Sequence, residues 1–101
     1  MFMKAMTSGG SGTKGISLSN QTLPNGVSSK TIDGITNIHS VGIYADSVLP
    51  KQGVFAYLDG NTLKTSGTTY LAITAISGNE ITINNTRSSP YSNAEISVVG
   101  S

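Results

Sequence analysis

Apolar residues in this chain recur at every second position in short runs, and the runs are separated by turn dipeptides built on glycine and asparagine. Ile16 and Leu18 alternate with Ser17 and Ser19. Ile81 and Ile83 flank Thr82, and Ile96 and Val98 frame Ser97. A period of two is the repeat of a strand with one buried face, whereas a helix places its apolar residues three and four apart. Composition leaves helices little room. Ser, Thr, Asn and Gly make up nearly half of the chain. The polar three compete with the helical backbone for hydrogen bonds, and glycine loses the most entropy on ordering. At 37% hydrophobic residues the chain still carries the apolar surface that a folded core requires.

The clearest local signal is a pair of runs, 68–77 and 80–84, joined by Gly78-Asn79, a two-residue connection suited to a primed hairpin turn. Strict alternation puts Leu71, Ile73 and Ala75 on one face of its first strand, with Tyr70, Ala72, Thr74 and Ile76 on the other. Upstream, Asn25-Gly26 marks a turn, and a strand from Ser28 to Asp33 is closed by Asp33-Gly34. Ile38 is out of phase with Val41 and Ile43, so the next strand either begins near Ser40 or carries a bulge. Between Val54 and Leu58 the intervening positions are Phe55 and Tyr57, which predicts a strand covered on both faces and ended by Asp59-Gly60. Glu95–Val99 forms the last strand.

The sum is an all-β domain of seven or eight short strands. The expected architecture is an antiparallel β-sandwich, jelly-roll-like or immunoglobulin-like, with a small barrel as the alternative. One domain spans residues 15–101, and residues 1–14 form a flexible Gly/Ser-rich leader. Its expected core is Ile16, Leu18, Val41, Ile43, Leu71, Ile73, Ile81, Ile83, Ile96 and Val98.

Several classes of function are disfavoured by the same residues. A formal net charge of +1 supplies no basic field for a nucleic-acid backbone. There is no cysteine for a disulfide or a thiolate metal site. Lys4 interrupts the apolar start, and no run long enough for a signal peptide or a membrane span follows. His39 is the only histidine, beside Ser40 and a few residues before Asp46, so any Ser–His–Asp arrangement depends on it alone. Of the carboxylates, Asp33 and Asp59 precede turn glycines, while Glu80 and Glu95 belong to a hairpin flank and a strand face. Asp59-Gly60-Asn61 lacks the further ligands of a calcium loop, and Gly12-Thr13-Lys14 has the wrong order for a phosphate loop. The expectation is a non-enzymatic protein with no metal or cofactor.

Binding chemistry has two sources. The polar stretch 84–93 holds Asn85, Arg87 and Tyr91, a mixture that resembles adaptable binding loops as well as ordinary solvated turns, and with Tyr70 these are the candidate ligand contacts. Tyr44, Phe55, Tyr57, Tyr70 and Tyr91 could in part form a stacking surface for sugars, since an aromatic ring covers the apolar face of a pyranose. Core packing is the competing role for each.

A Met-rich start runs into Gly9-Gly10-Ser11-Gly12, followed by Gly15-Ile16-Ser17-Leu18, Val41-Gly42-Ile43-Tyr44, the turn Ser77-Gly78-Asn79-Glu80 and the close Ile96-Ser97-Val98-Val99-Gly100. This layout resembles the small tail-fibre, baseplate and receptor-binding accessory proteins of phages and prophages of Gram-positive bacteria. The resemblance implies a virion-associated β-sandwich made in the bacterial cytoplasm. It also implies a homo-trimer, contact with other tail proteins and adhesion to host-surface glycans; no site residue carries over. Open sheet edges with few charges give a separate motive for a homo-oligomer. A structural or adhesive tail module is thus the first expectation. A free-standing carbohydrate-binding or adhesin domain is the second, requiring at least two exposed aromatics beside Asn or Asp. A small hydrolase is the third.

Overall fold

A computed structural model describes residues 13–45, 52–67 and 70–101 of the chain. The leader up to residue 12, Asp46 and the start of the expected strand at Thr68 lie outside the described residues. Eight strands follow one another: β1 (Lys14–Leu23), β2 (Gly26–Thr31), β3 (Ile38–Ala45), β4 (Gln52–Asp59), β5 (Thr62–Ser66), β6 (Leu71–Ser77), β7 (Glu80–Asn85) and β8 (Tyr91–Gly100). They form two antiparallel sheets, one of order β1-β8-β3-β4-β5 and one of order β2-β7-β6. This is a sandwich and not a closed barrel.

The inner faces of the two sheets supply one core. Val41, Ile43, Leu71, Ile73, Ile81, Ile83, Ile96 and Val98 are buried as expected, while Ile16 and Leu18, on the edge strand β1, are half-buried at its margin. Leu23, Ile32, Ile35, Ile38, Ala45, Val54, Ala56, Ala94 and Tyr91 are buried with them; none belongs to the expected core set, although core packing was the competing role for Tyr91 and the strand of Val54 and Ala56 was expected to be covered. Leu23, Ile38 and Tyr91 share one cause. They stand at odd spacings from the other core residues of their strands, and a strict two-residue period sends such positions to the opposite face.

Single inserted residues bring them back. Along β1 and β8 the register runs Leu18 to Ile96, then Gln21 to Ala94, then Leu23 to Tyr91. Two residues of β1, Ser19 and Asn20, therefore oppose Glu95, and two of β8, Ser92 and Asn93, oppose Thr22. Each bulge inverts the side-chain phase of its own strand, and together they restore the pairing. Asn20 and Asn93 take φ of 58° and 56°. That left-handed conformation is tolerated by asparagine better than by any other residue with a side chain, because its amide can bond locally. A third break lies between Ile73 and Ala75 of β6, so Ile76 packs against the core instead of sharing the outer face with Tyr70 and Ala72. The fourth lies between Ile38 and Ser40, which realises the bulge expected there and leaves Ile38 buried and His39 exposed.

Other boundaries depart from expectation in instructive ways. β2 occupies Gly26–Thr31, with Asp33 and Gly34 in the following turn. Gly60-Asn61 is a second two-residue hairpin turn of the same composition as Gly78-Asn79; Gly60 and Gly78 take φ of 63° and 59°. It leads into β5, a short and mostly polar strand that hydrophobic alternation does not signal. β4 is covered on one face only. Val54 and Ala56 enter the core, while Phe55 and Tyr57 face outward.

The crossover from β2 to β3 is pinned at both ends. Ile32 N donates to Asn79 O and Ile38 N to Gly78 O, each at 2.8 Å, and the C-terminal Ser101 exchanges backbone bonds with Asn37 at 2.9 and 3.0 Å. Gly100 has no room for a side chain, because a Cβ there would meet the Asn37 carbonyl and approach Ile35 Cδ1 to 2.7 Å.

The sheet edges are better guarded than composition suggests. β1 carries a bulge and Lys14, β6 carries a bulge, and β5 presents Lys64. Lys30 of β2 stands opposite the buried Ile81, an inward-pointing charge on an edge strand. All of these are known devices against strand addition. They answer the edge-pairing motive for a homo-oligomer.

Asn93→Val forces a β-branched residue into the left-handed region and is expected to lower stability by roughly 1–2 kcal/mol, whereas Asn93→Gly stays within about 0.5 kcal/mol of the parent. Urea unfolding of the two variants measures the difference.

Candidate functional site

The four candidate residues of the sequence meet at one corner of the sandwich. Asn85 ends β7 and is fully buried. Its Nδ2 donates to the carbonyls of Leu23, at 3.0 Å, and Ser89, at 3.2 Å, while its Oδ1 accepts from Arg87 N at 3.0 Å. One side chain thus joins the end of β1, the end of β7 and the loop before β8. Thr86 N donates to Tyr70 O at 2.8 Å, fastening the loop to the start of β6. The Asn25 amide donates to the Arg87 carbonyl.

Tyr91, the expected ligand contact at the apex of the loop, is instead a core residue with no exposed surface. The Arg87 guanidinium stacks over its ring, Cζ standing 4.5 Å from the ring centroid, and donates to Ser89 Oγ at 2.8 Å and Pro90 O at 3.4 Å. That stack is a cation–π contact. The Tyr91 hydroxyl makes no bond of hydrogen-bond geometry among the described residues. Burial pushes its pKa above the ordinary value of 10.0, against the opposing charge of Arg87. Asn85 and Tyr91 are therefore committed to holding the corner together. Surface for a ligand remains only on Arg87, half-buried, and Tyr70.

At the other end of the sequence's candidates, His39 Nε2 lies 3.4 Å from Ser101 Oγ at an exposed site. Asp46, the carboxylate expected near it, falls outside the described residues. Among the described residues no three or more His, Asp or Glu side chains gather where they could hold a metal.

A different surface has the geometry of a site. On the outer face of the five-stranded sheet, Tyr44 of β3 stands opposite Gly53 of β4, and Gly42 opposite Phe55. Each aromatic ring leans across the glycine it faces: a Cβ placed on Gly42 would be 3.8 Å from Phe55 Cδ1, and one on Gly53 would be 3.7 Å from Tyr44 Cδ1. Glycine within a strand is costly, and a cross-strand aromatic that shields it recovers part of that cost. The pattern also leaves two side-chain-free positions between two rings. An open groove of about 330 Å³ results, lined by Tyr44, Phe55, Ser66, Glu95 and Ser97 over the Gly42 and Gly53 backbone. Tyr57 extends the platform, its ring 6.0 Å from that of Phe55. Tyr44, Phe55 and Tyr57 are 47%, 46% and 43% exposed.

Comparison with known proteins adds no relative: no family model, no curated protein and no solved structure matches this chain. The groove residues were partly legible in the sequence. Tyr44, Phe55 and Tyr57 stand there as aromatics, but the alternation of Val54 to Leu58 assigned two of them to a covered face. The signal that marks them is the pairing of Gly42 and Gly53 with bulky neighbours, and it becomes readable only with the register.

Asn85→Ala orphans the Leu23 carbonyl and the Arg87 amide together and is expected to cost about 3 kcal/mol, read from the urea midpoint. Tyr91 gives a pH dependence. Its folded-state pKa is raised, so its stabilisation is complete below the unfolded value near 10 and is lost as pH climbs through the folded value. Unfolding between pH 8 and 11 is expected to show stability that holds up to about pH 10 and falls above it, and Tyr91→Phe to flatten the fall.

Proposed function

We propose that this protein is a non-enzymatic adhesive module that binds carbohydrate on the outer face of its five-stranded sheet. The observation that carries this reading is the set of three exposed aromatics, Tyr44, Phe55 and Tyr57, gathered on one face around side-chain-free backbone at Gly42 and Gly53. The outer face of the smaller sheet offers a contrast: Ser29, Thr31, Thr74 and Thr82 dominate it, and Val27 stands there as an isolated exposed apolar residue. Single exposed apolar residues are ordinary on protein surfaces, whereas clustered ones mark contact sites.

The chemistry of the cluster favours a sugar over a purely apolar ligand. A pyranose presents an apolar C–H face and a rim of hydroxyls. The groove answers with ring faces in its walls and with the hydroxyls of Ser66 and Ser97 and the carboxylate of Glu95 at its margin. Its volume lies at the small end of the range for ligand sites, as an open site for one or two sugar units requires. The carboxylate takes the place of the Asn or Asp that the sequence reading asked for.

The place of such a module in a phage or prophage tail, as the layout of the chain implies, is part of this proposal. A homo-trimer in that setting would have to form through side-chain faces, because the sheet edges carry guards against strand addition.

An array of neutral and amino-sugar oligosaccharides tests the reading. The parent protein is expected to bind at least one class. Phe55→Ala and Tyr44→Ala should each weaken binding about tenfold or more, with less than about 1 kcal/mol lost in stability, and Tyr70→Ala should leave binding unchanged. No binding by the parent, or full binding by Phe55→Ala, overturns the proposal.

A further inference from the structure

The groove is not electrostatically neutral, and its asymmetry points to a class of sugar. Glu95 is the one charged side chain among the described residues that line it. Across the sheet, Glu95 pairs with Tyr44 on one side, and on the other it faces the Ser19–Asn20 bulge. Neither neighbour carries a charge, so among the described residues the register supplies no cation opposite this carboxylate. Lys64 stands opposite Tyr57 on the edge strand β5, at the far corner of the aromatic platform and away from the groove lining. A negative group at one corner and a positive one at the other impose a direction on any bound polar ligand.

Two features at the Glu95 end favour a cation. The carboxylate accepts strong hydrogen bonds from an ammonium group, and the adjoining ring of Tyr44 attracts a cation to its face. A sugar that bears a protonated amine satisfies both while its C–H face rests on the rings.

Resting on the carbohydrate reading above, we infer that the groove selects amino sugars with a free, protonated amine, and that Glu95 is the residue that sets this preference. Glu95 is exposed, so solvent screening limits the gain, and the expected preference over the matching neutral or N-acetylated sugar is about three- to tenfold at low salt.

The experiment compares oligomers of glucosamine, N-acetylglucosamine and glucose by calorimetric titration against the full chain and its Glu95→Gln variant. Glucosamine oligomers are expected to bind tightest to the parent. That preference should shrink with added salt, disappear as pH rises and the amine deprotonates, and be absent in Glu95→Gln, which is expected to bind glucosamine and glucose oligomers with equal affinity. Equal binding of all three by the parent, or a preference that survives in Glu95→Gln, overturns the inference and leaves the carbohydrate reading intact. Failure of all three to bind overturns the inference, and the oligosaccharide array then decides the carbohydrate reading separately. Because Glu95 lies on the solvent side of β8, the variant is expected to fold, and an unchanged unfolding midpoint checks this.

Discussion

The sandwich depends on four places where one extra residue enters a strand. Without them, Leu23, Ile38, Ile76 and Tyr91 would face away from the core shared by the rest of their strands. A chain with few charges and no disulfides has little else to hold it, so the phase of each strand decides whether enough apolar surface is buried. The pair of bulges on β1 and β8 matters most. Placed one step apart on opposite strands, they cancel in register while redirecting side chains on both, and only the pair Gln21 and Ala94 separates them. The bulge on β1 lies directly opposite Glu95, the carboxylate at the margin of the outer groove.

What the sequence allowed, and what it hid, follows from the same physics. Alternation read correctly in Val41 to Ile43, Ile81 to Ile83 and Ile96 to Val98, where the strand keeps one phase and only one face is apolar, and the Gly78-Asn79 turn was unmistakable because glycine relieves the strain of positive φ. The bulges of β1 and β8 leave no such mark. Asn20 and Asn93 are ordinary residues of a chain rich in asparagine, and only the register shows that they occupy the left-handed region. The polar surroundings of Tyr91 assigned it to a loop, and its odd spacing from Ile96 gave no sign that it belongs to β8. β5 went unseen because its residues are polar and its pairing with β4 is made by backbone bonds.

Polar groups inside the sandwich divide into satisfied and unsatisfied. Asn85 uses its amide fully, and the loop 86–90 needs little apolar content of its own because this residue and Tyr70 fasten it. The Tyr91 hydroxyl takes the opposite course: among the described residues it is buried without a bond of hydrogen-bond geometry, and the attraction of Arg87 to the ring offsets part of the cost. Arg87 serves the fold here as a cover for an aromatic ring, which explains how a loop with the composition of a binding site comes to be architectural.

The outer face of the large sheet reverses that logic. Gly42 and Gly53 weaken the strands that contain them, and Tyr44, Phe55 and Tyr57 expose apolar surface that packing does not require. Fold stability alone would favour β-branched residues at the glycines and polar ones at the aromatics, the choice made on the outer face of the smaller sheet. Aromatic shielding recovers some of the loss from the glycines but still leaves the rings in water. A face that costs stability twice over is accounted for most simply by contact with something outside the fold. On the carbohydrate reading proposed above, its shape matters too: ring faces set beside bare backbone and hydroxyls suit a ligand that alternates apolar and polar surface over a few ångströms, as a sugar does and a continuous hydrophobic partner does not.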